Sequence, residues 1–256
     1  MNPLLKLLAL NKDKAQPIKA VTEGDEATIY IYDVIVSDDF WGGVSAESFV
    51  KLLNGITAPV IHLRINSPGG EVYAARSMMQ AIREHKSKVI AHVDGMAASA
   101  ATFLVIAADE SYIAEGSMFM IHNGWTIAAG NSKDFLSMAD LLERLDQTIR
   151  QEYNAKTGTD IAEIKKMMDA ETYFFGSEAV DAGFIDAVAE ASPKNQIKWD
   201  MTAYQHADKP KQNMPEPEPT PQPDPVPEPD QNPEPEPQAP DLSAHYRQLE
   251  VVQLTA

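Results

Sequence analysis

The chain reads as an α/β protein with a largely parallel sheet, followed by an acidic, proline-rich extension. Three observations give this class. From about residue 28, runs rich in β-branched and aromatic residues alternate with runs of helical spacing, the pattern of strands crossed over by helices. The apolar content up to Lys198 suffices for a sizeable core. Beyond it the composition changes to proline, glutamate, aspartate and glutamine.

Residues 1–24 form an N-terminal segment. Its apolar start is interrupted by Lys6 and no small-residue cleavage site follows, so no secretory signal is expected. Residues 25–198 form the folded domain. Within it, 28–36 and 60–66 are strand-like, and 71–85 place Val72, Ala75, Met78, Met79 and Ile82 at helical spacing. A strand at 88–93 leads to a helix over 98–108, then strands near 112–114 and 118–121. A long helix over 132–156, with Ser132 as N-cap, carries Phe135, Met138, Leu142, Leu145, Ile149 and Tyr153 at alternating spacings of three and four. Two readings stay open for it: an amphipathic helix packed on its own sheet, or a projecting helix that pairs with another subunit. Residues 199–256 are an extension expected to be disordered. Its stretch 209–241, with proline at every second or third position, is an extended solvated spacer. The short amphipathic end 242–256 is a docking peptide or a frayed terminus.

The formal net charge of −17 over 256 residues argues against nucleic acid or an anionic membrane surface as partner. Cysteine is absent, which removes disulfides and thiolate metal sites. No apolar run is long enough to span a bilayer. A soluble cytoplasmic protein is expected.

The run Asp94-Gly95-Met96-Ala97-Ala98-Ser99-Ala100-Ala101 sets one hydroxyl among residues with almost no side chain, at a strand-to-helix turn. Such a serine is open to an approaching carbonyl at a helix N-terminus; close helix packing accounts for the same composition. As a nucleophile Ser99 needs a base. His62 and His92 lie inside strand-like runs and read as structural, His85 ends a helix, and His206 and His245 lie in or beside the tail. His122 follows the strand ending at Ile121 and precedes the turn pair Asn123-Gly124, where α/β sheets gather their functional groups. The run Asn66-Ser67-Pro68-Gly69-Gly70-Glu71 offers backbone amides to a developing oxyanion, though Pro-Gly-Gly is also an ordinary turn signal. Asp169 and Glu171 both offer a carboxylate to orient the imidazole.

These pieces, in this order, resemble the Clp protease proteolytic-subunit family, the ClpP-like serine peptidases. The resemblance rests on Ile65 to Gly70, Asp94 to Ser99, Met120 to Asn123 and Phe174 to Asp186. It implies a ClpP/crotonase-like spiral of ββα units with a long projecting helix, and no cofactor or metal. It makes Ser99 the nucleophile, His122 the base, and the amides of Gly70 and Ala100 the oxyanion hole. An ungapped match puts Glu171 where the family has aspartate; a shift of two selects Asp169 instead. The resemblance makes the helix at 132–156 an oligomer contact between rings of a homo-oligomer acting on protein or peptide substrates.

The Asp-Ala-Glu-Thr-Tyr run and the acidic extension look most like the head-maturation (prohead) proteases of tailed phages. That implies an endopeptidase that trims capsid or scaffold proteins in a host cytoplasm. The alternatives are a ClpP-type subunit fed by a separate ATP-driven unfoldase, and a retired protease serving as scaffold or adaptor. The sequence holds no Gly-x-x-x-x-Gly-Lys-Ser/Thr loop, so the ATPase of the first alternative is another protein. A crotonase-like acyl-CoA enzyme and a serine–lysine signal-peptide peptidase fit the motifs less well. Self-cleavage of the extension is a further expectation.

Overall fold

A computed structural model of the chain describes residues 3–14, 17–190 and 199–204. The spacer, the terminal end, His206 and His245 lie outside the described residues.

The chain opens with α1 (Pro3–Asn11) and the hairpin β1 (Lys19–Glu23) and β2 (Glu26–Ile31), so part of the 1–24 segment is structured. A short parallel pair, β3 (Ile35–Val36) and β4 (Val44–Ser45), precedes α2 (Ala46–Asn54). Then come β5 (Val60–Ser67), α3 (Val72–Glu84), β6 (Lys88–Ala98), α4 (Thr102–Ala107), β7 (Glu110–Ile113) and β8 (Met118–Ile121). The long α5 (Ser132–Thr157) leads to α6 (Ile161–Asp169), β9 (Thr172–Phe175), α7 (Ser177–Asp181) and β10 (Ala187–Val188). The order β1-β2-β5-β6-β7-β10 is parallel except for the β1–β2 hairpin, and β8 and β9 extend the sheet from β6. This is the mixed α/β architecture expected of the ClpP fold, with β2, β5 and β6 burying Ile29, Ile61, Leu63, Ile65 and Val93 in one core with Met78 and Leu104 of the helices.

Three boundaries differ from the sequence reading. The strand begun at Lys88 runs through Ala98, because Met96 to Ala98 pair with β8, and the helix starts only after a tight turn at 99–101. The 28–36 run is broken between β2 and β3. Asn131, not Ser132, caps α5: its side chain accepts from the Lys133 N–H at 2.9 Å while Asp134 accepts from the Asn131 N–H at 2.8 Å. That reciprocal pair satisfies two donors that a helix start leaves open.

The C-terminal half of α5 packs on the protein's own core, and its N-terminal half stands exposed. Ile149 and Tyr153 are buried against the core, whereas Phe135 and Leu136 are 52% and 68% exposed. Among the described residues, no helix is long and apolar enough to cross a membrane.

Candidate active site

The splitting of β6 between two neighbours builds the site. Its first half pairs with β7 through Ile90 to Val93 and its end pairs with β8, Ala98 facing Met120. The residues that follow, Ser99 and His122, therefore emerge side by side. On the other flank β9 runs antiparallel to β8 with Thr172 facing Ile121. Antiparallel register sets the residue before Thr172, Glu171, opposite His122.

Ser99 Oγ lies 2.7 Å from His122 Nε2. The serine has φ 54°, a left-handed conformation that a non-glycine residue adopts only under local constraint. Thr102 supplies some of that constraint: its hydroxyl donates to the Ser99 carbonyl at 2.6 Å and bonds Tyr153 Oη at 2.7 Å, tying the turn to α5. The strand-to-helix elbow read from the sequence is present, although α4 itself spans six residues.

His122 Nδ1 faces Glu171 Oε2 at 3.9 Å, too long for a hydrogen bond and close enough for strong charge interaction. Burial pushes the imidazole pKa down to about 4, and the Glu171 charge acts in the opposite sense. Glu171 is itself buried, has φ 48°, and accepts a hydrogen bond from Tyr173 Oη at 2.7 Å on its other oxygen. Asp169 is not in this constellation. It ends α6 at the surface, accepts from Asn123 and Lys165 at 2.8 Å each, and those bonds hold its carboxyl below the usual range.

Gly69 and Gly70 carry positive φ values of 90° and 147°. A Cβ on Gly69 would overlap the Ala98 carbonyl and come within 2.9 Å of Ser99 Cβ, so only glycine lets this loop lie against the serine. Gly70 forms a parallel bridge with Ile35, whose bonds run from the Ile35 N–H to the Gly69 carbonyl and from the Glu71 N–H to the Ile35 carbonyl. The Gly70 N–H stays outside that ladder, and the Ala100 N–H belongs to the first turn after the strand, where amides lack intrahelical acceptors.

A groove of about 450 Å³ opens beside this arrangement. Ser99, His122 and Gly70 form one wall, and Ile127, Met138 and Leu142 give it an apolar lining. His62 and His92 lie on β5 and β6, their ring nitrogens 2.9 Å apart, with His92 stacked on Tyr112; they take no part in the site.

Two tyrosines were not legible as site residues. Tyr173 reaches Glu171, and its alternation with Glu171 along the chain was the one available signal. Tyr204 belongs to the segment assigned to the extension, yet residues 199–204 pack onto the domain and its ring stands edge-on to His122 at 5.1 Å between centroids.

The sequence profile of the Clp protease family matches residues 26–192. The chain belongs to the Clp protease family. It is 33% identical over 135 residues to the ATP-dependent Clp protease proteolytic subunit 1 of Prochlorococcus marinus (strain MIT 9312), covering 52% of this chain and 69% of that one. It is 32% identical over 140 residues to proteolytic subunit 2 of Parasynechococcus marenigrum (strain WH8102), covering 54% and 71%. The match to this Clp protease family member ends at residue 192, short of Trp199 and Tyr204.

Proposed function

We propose that this Clp protease family member is a ClpP-type serine endopeptidase subunit that uses Ser99, His122 and Glu171. The observation that carries this reading is the 2.7 Å contact between Ser99 Oγ and His122 Nε2, with a buried carboxylate facing the far nitrogen of the same ring. Burial keeps His122 neutral at physiological pH, the state in which Nε2 can accept a proton.

Ser99 Oγ attacks the peptide carbonyl carbon as its proton passes to His122 Nε2. The carbonyl π electrons move to oxygen, and that oxyanion is received by the N–H groups of Gly70 and Ala100, donors worth about 3 kcal/mol each in such sites. Collapse breaks the C–N bond, and the imidazolium returns its proton to the leaving amine. Water, deprotonated by His122, then releases the acyl group and restores Ser99. Glu171 stays ionised and stabilises the imidazolium; the 3.9 Å gap is of the kind that closes as substrate packs the site.

The relatives reported above are named as ATP-dependent proteolytic subunits, which favours work with a separate ATP-driven unfoldase. The head-maturation reading rested on the Asp-Ala-Glu-Thr-Tyr run and the acidic extension, and the comparisons add nothing to it. They make the ClpP-type subunit the better fit.

Fluorophosphonate labelling tests the reading. The full-length protein is expected to form one covalent adduct, lost in Ser99→Ala and slowed strongly in His122→Ala, and to hydrolyse unfolded casein. Absence of any adduct on the wild-type chain would overturn it.

A further inference from the structure

Residues 199–204 return to the site from beyond the family match and are held by several independent contacts. The Trp199 indole N–H donates to Asn66 Oδ1 at 2.9 Å. Asn11 of α1 brackets Asp200, accepting from its N–H at 2.6 Å and donating to its carbonyl at 3.0 Å. Lys6 Nζ donates to the Thr202 carbonyl at 2.7 Å. Trp199 and Met201 are buried with Met96, Met120 and Tyr173.

Tyr204 is what this anchorage delivers. Its ring meets His122 edge-on, and its hydroxyl donates to the Pro68 carbonyl and lies against Ser99. One side chain thus touches the base, the nucleophile and the loop that carries Gly70. Burial raises the phenol pKa, so the hydroxyl remains a donor.

We propose that the space between the Pro68 carbonyl, Ser99 and His122 is a peptide subsite for an aromatic side chain with a polar tip, and that Tyr204 fills it as a ligand carried in cis. The chemistry of the space matches that class: a ring face and edge for an aromatic body, and a carbonyl acceptor at the far end. Tyr204 does not line the apolar groove beside Ser99. It borders an adjoining cavity of about 370 Å³ with His122 and Glu171, and the two share His122, Gly124, Trp125 and Thr126.

Occupancy of one flank has a selective consequence, which rests on the peptidase reading. An internally cleaved chain needs room on both sides of the scissile bond, so a filled subsite opposes peptides. A small acylating reagent needs only the open groove. A tethered ligand also acts at an effective concentration on the order of millimolar, enough to exclude weakly bound competitors.

The test uses full-length variants and the hexapeptide Trp-Asp-Met-Thr-Ala-Tyr, fluorescently labelled, with its Tyr→Ala counterpart as control. A triple variant, Trp199→Gly with Met201→Gly and Tyr204→Gly, is expected to bind the hexapeptide at least tenfold tighter than the wild type does, and tenfold tighter than it binds the control. Equal or absent binding of both peptides by the folded variant overturns the proposal. Should the triple variant fail to fold, Tyr204→Ala decides: the ratio of casein cleavage to fluorophosphonate labelling is expected to rise about tenfold, with Tyr204→Phe, which keeps the ring and loses the polar tip, in between. An unchanged ratio of cleavage to labelling overturns it. Absence of labelling in every variant sinks the peptidase reading alone, since peptide binding still decides the subsite.

Discussion

Tyr173 donates its hydroxyl to one oxygen of Glu171 at 2.7 Å while the other oxygen of that carboxylate faces His122 Nδ1 at 3.9 Å. Glutamate is one methylene longer than the aspartate that the family resemblance leads one to expect, and a longer side chain has more rotamers to lose. The phenol removes that freedom by fixing the oxygen that does not face the imidazole. The positive φ of Glu171 turns the side chain inward immediately before β9 begins.

This arrangement separates the two candidate acids. Glu171→Gln is expected to lower kcat by about 10⁴-fold, the scale seen when an orienting carboxylate becomes an amide. Asp169→Asn, which loses only surface contacts with Asn123 and Lys165, is expected to stay within about threefold of wild type, as surface pairs contribute little. Steady-state hydrolysis of a fluorogenic peptide checks both, and the reverse ranking would assign the acid to Asp169.

Burial of His122 sets the pH dependence. Its pKa of about 4 lies below the ordinary imidazole value near 6.5, so the acid limb of the kcat/KM profile is expected to fall near pH 4. His92 is lowered to about 4 as well, by burial first and then by the Arg64 charge. Between pH 6.5 and 4 the unfolded chain therefore binds protons that the folded chain does not. Stability is present above about 6.5 and is lost as pH falls toward 4. Melting temperatures measured from pH 7.5 to 4.5 should decrease monotonically, and His92→Gln should flatten the decline without moving the activity limb.

The glycine loop supplies a steric prediction. Gly69→Ala places a methyl group against the Ala98 carbonyl and Ser99 Cβ at a backbone angle that disfavours side chains. Relief requires the loop to move away from Ser99, and a displacement near 1 Å at such a site costs about 10²-fold in rate. Fluorophosphonate labelling is expected to slow by that order. Gly158→Ala, also at positive φ but with open space around its Cβ position, serves as control: it carries backbone strain alone and should label at the wild-type rate.

Much of the site was legible because its residue types are unusual where they stand. A serine among alanines, a histidine at a strand end and paired glycines before a helix each break a local pattern, and the alternation of strands and helices put all three at carboxyl ends of strands. The acid was ambiguous because Asp169 and Glu171 lie two residues apart; the end of α6 and the register of β8 with β9 set Glu171 opposite His122 and leave Asp169 at the surface, and neither can be read from composition. Tyr204 was hidden for a different reason. Its segment has no periodicity and borders a proline-rich stretch, and it is held by bonds to Lys6, Asn11 and Asn66, residues remote in sequence.

The exposed half of α5 yields the last prediction. Phe135, Leu136 and Leu141 are all substantially exposed on it, and Ile127 stands exposed on the segment leading into it. Large apolar groups left exposed around this half of the helix mark an interaction surface. The same helix contributes Met138 and Leu142 to the groove beside Ser99, so a neighbour that orders this half also orders the groove wall. The C-terminal half is secured separately by Ile149 and Tyr153 in the core. The double variant Phe135→Asp with Leu136→Asp is therefore expected to sediment as a smaller species than wild type, to keep its melting temperature within a few degrees of the dissociated wild type, and to label at Ser99 more slowly by about tenfold. Analytical ultracentrifugation and labelling on the same samples make the check. Unchanged sedimentation would remove this face as the contact, and slower labelling without dissociation would place its effect in the groove alone.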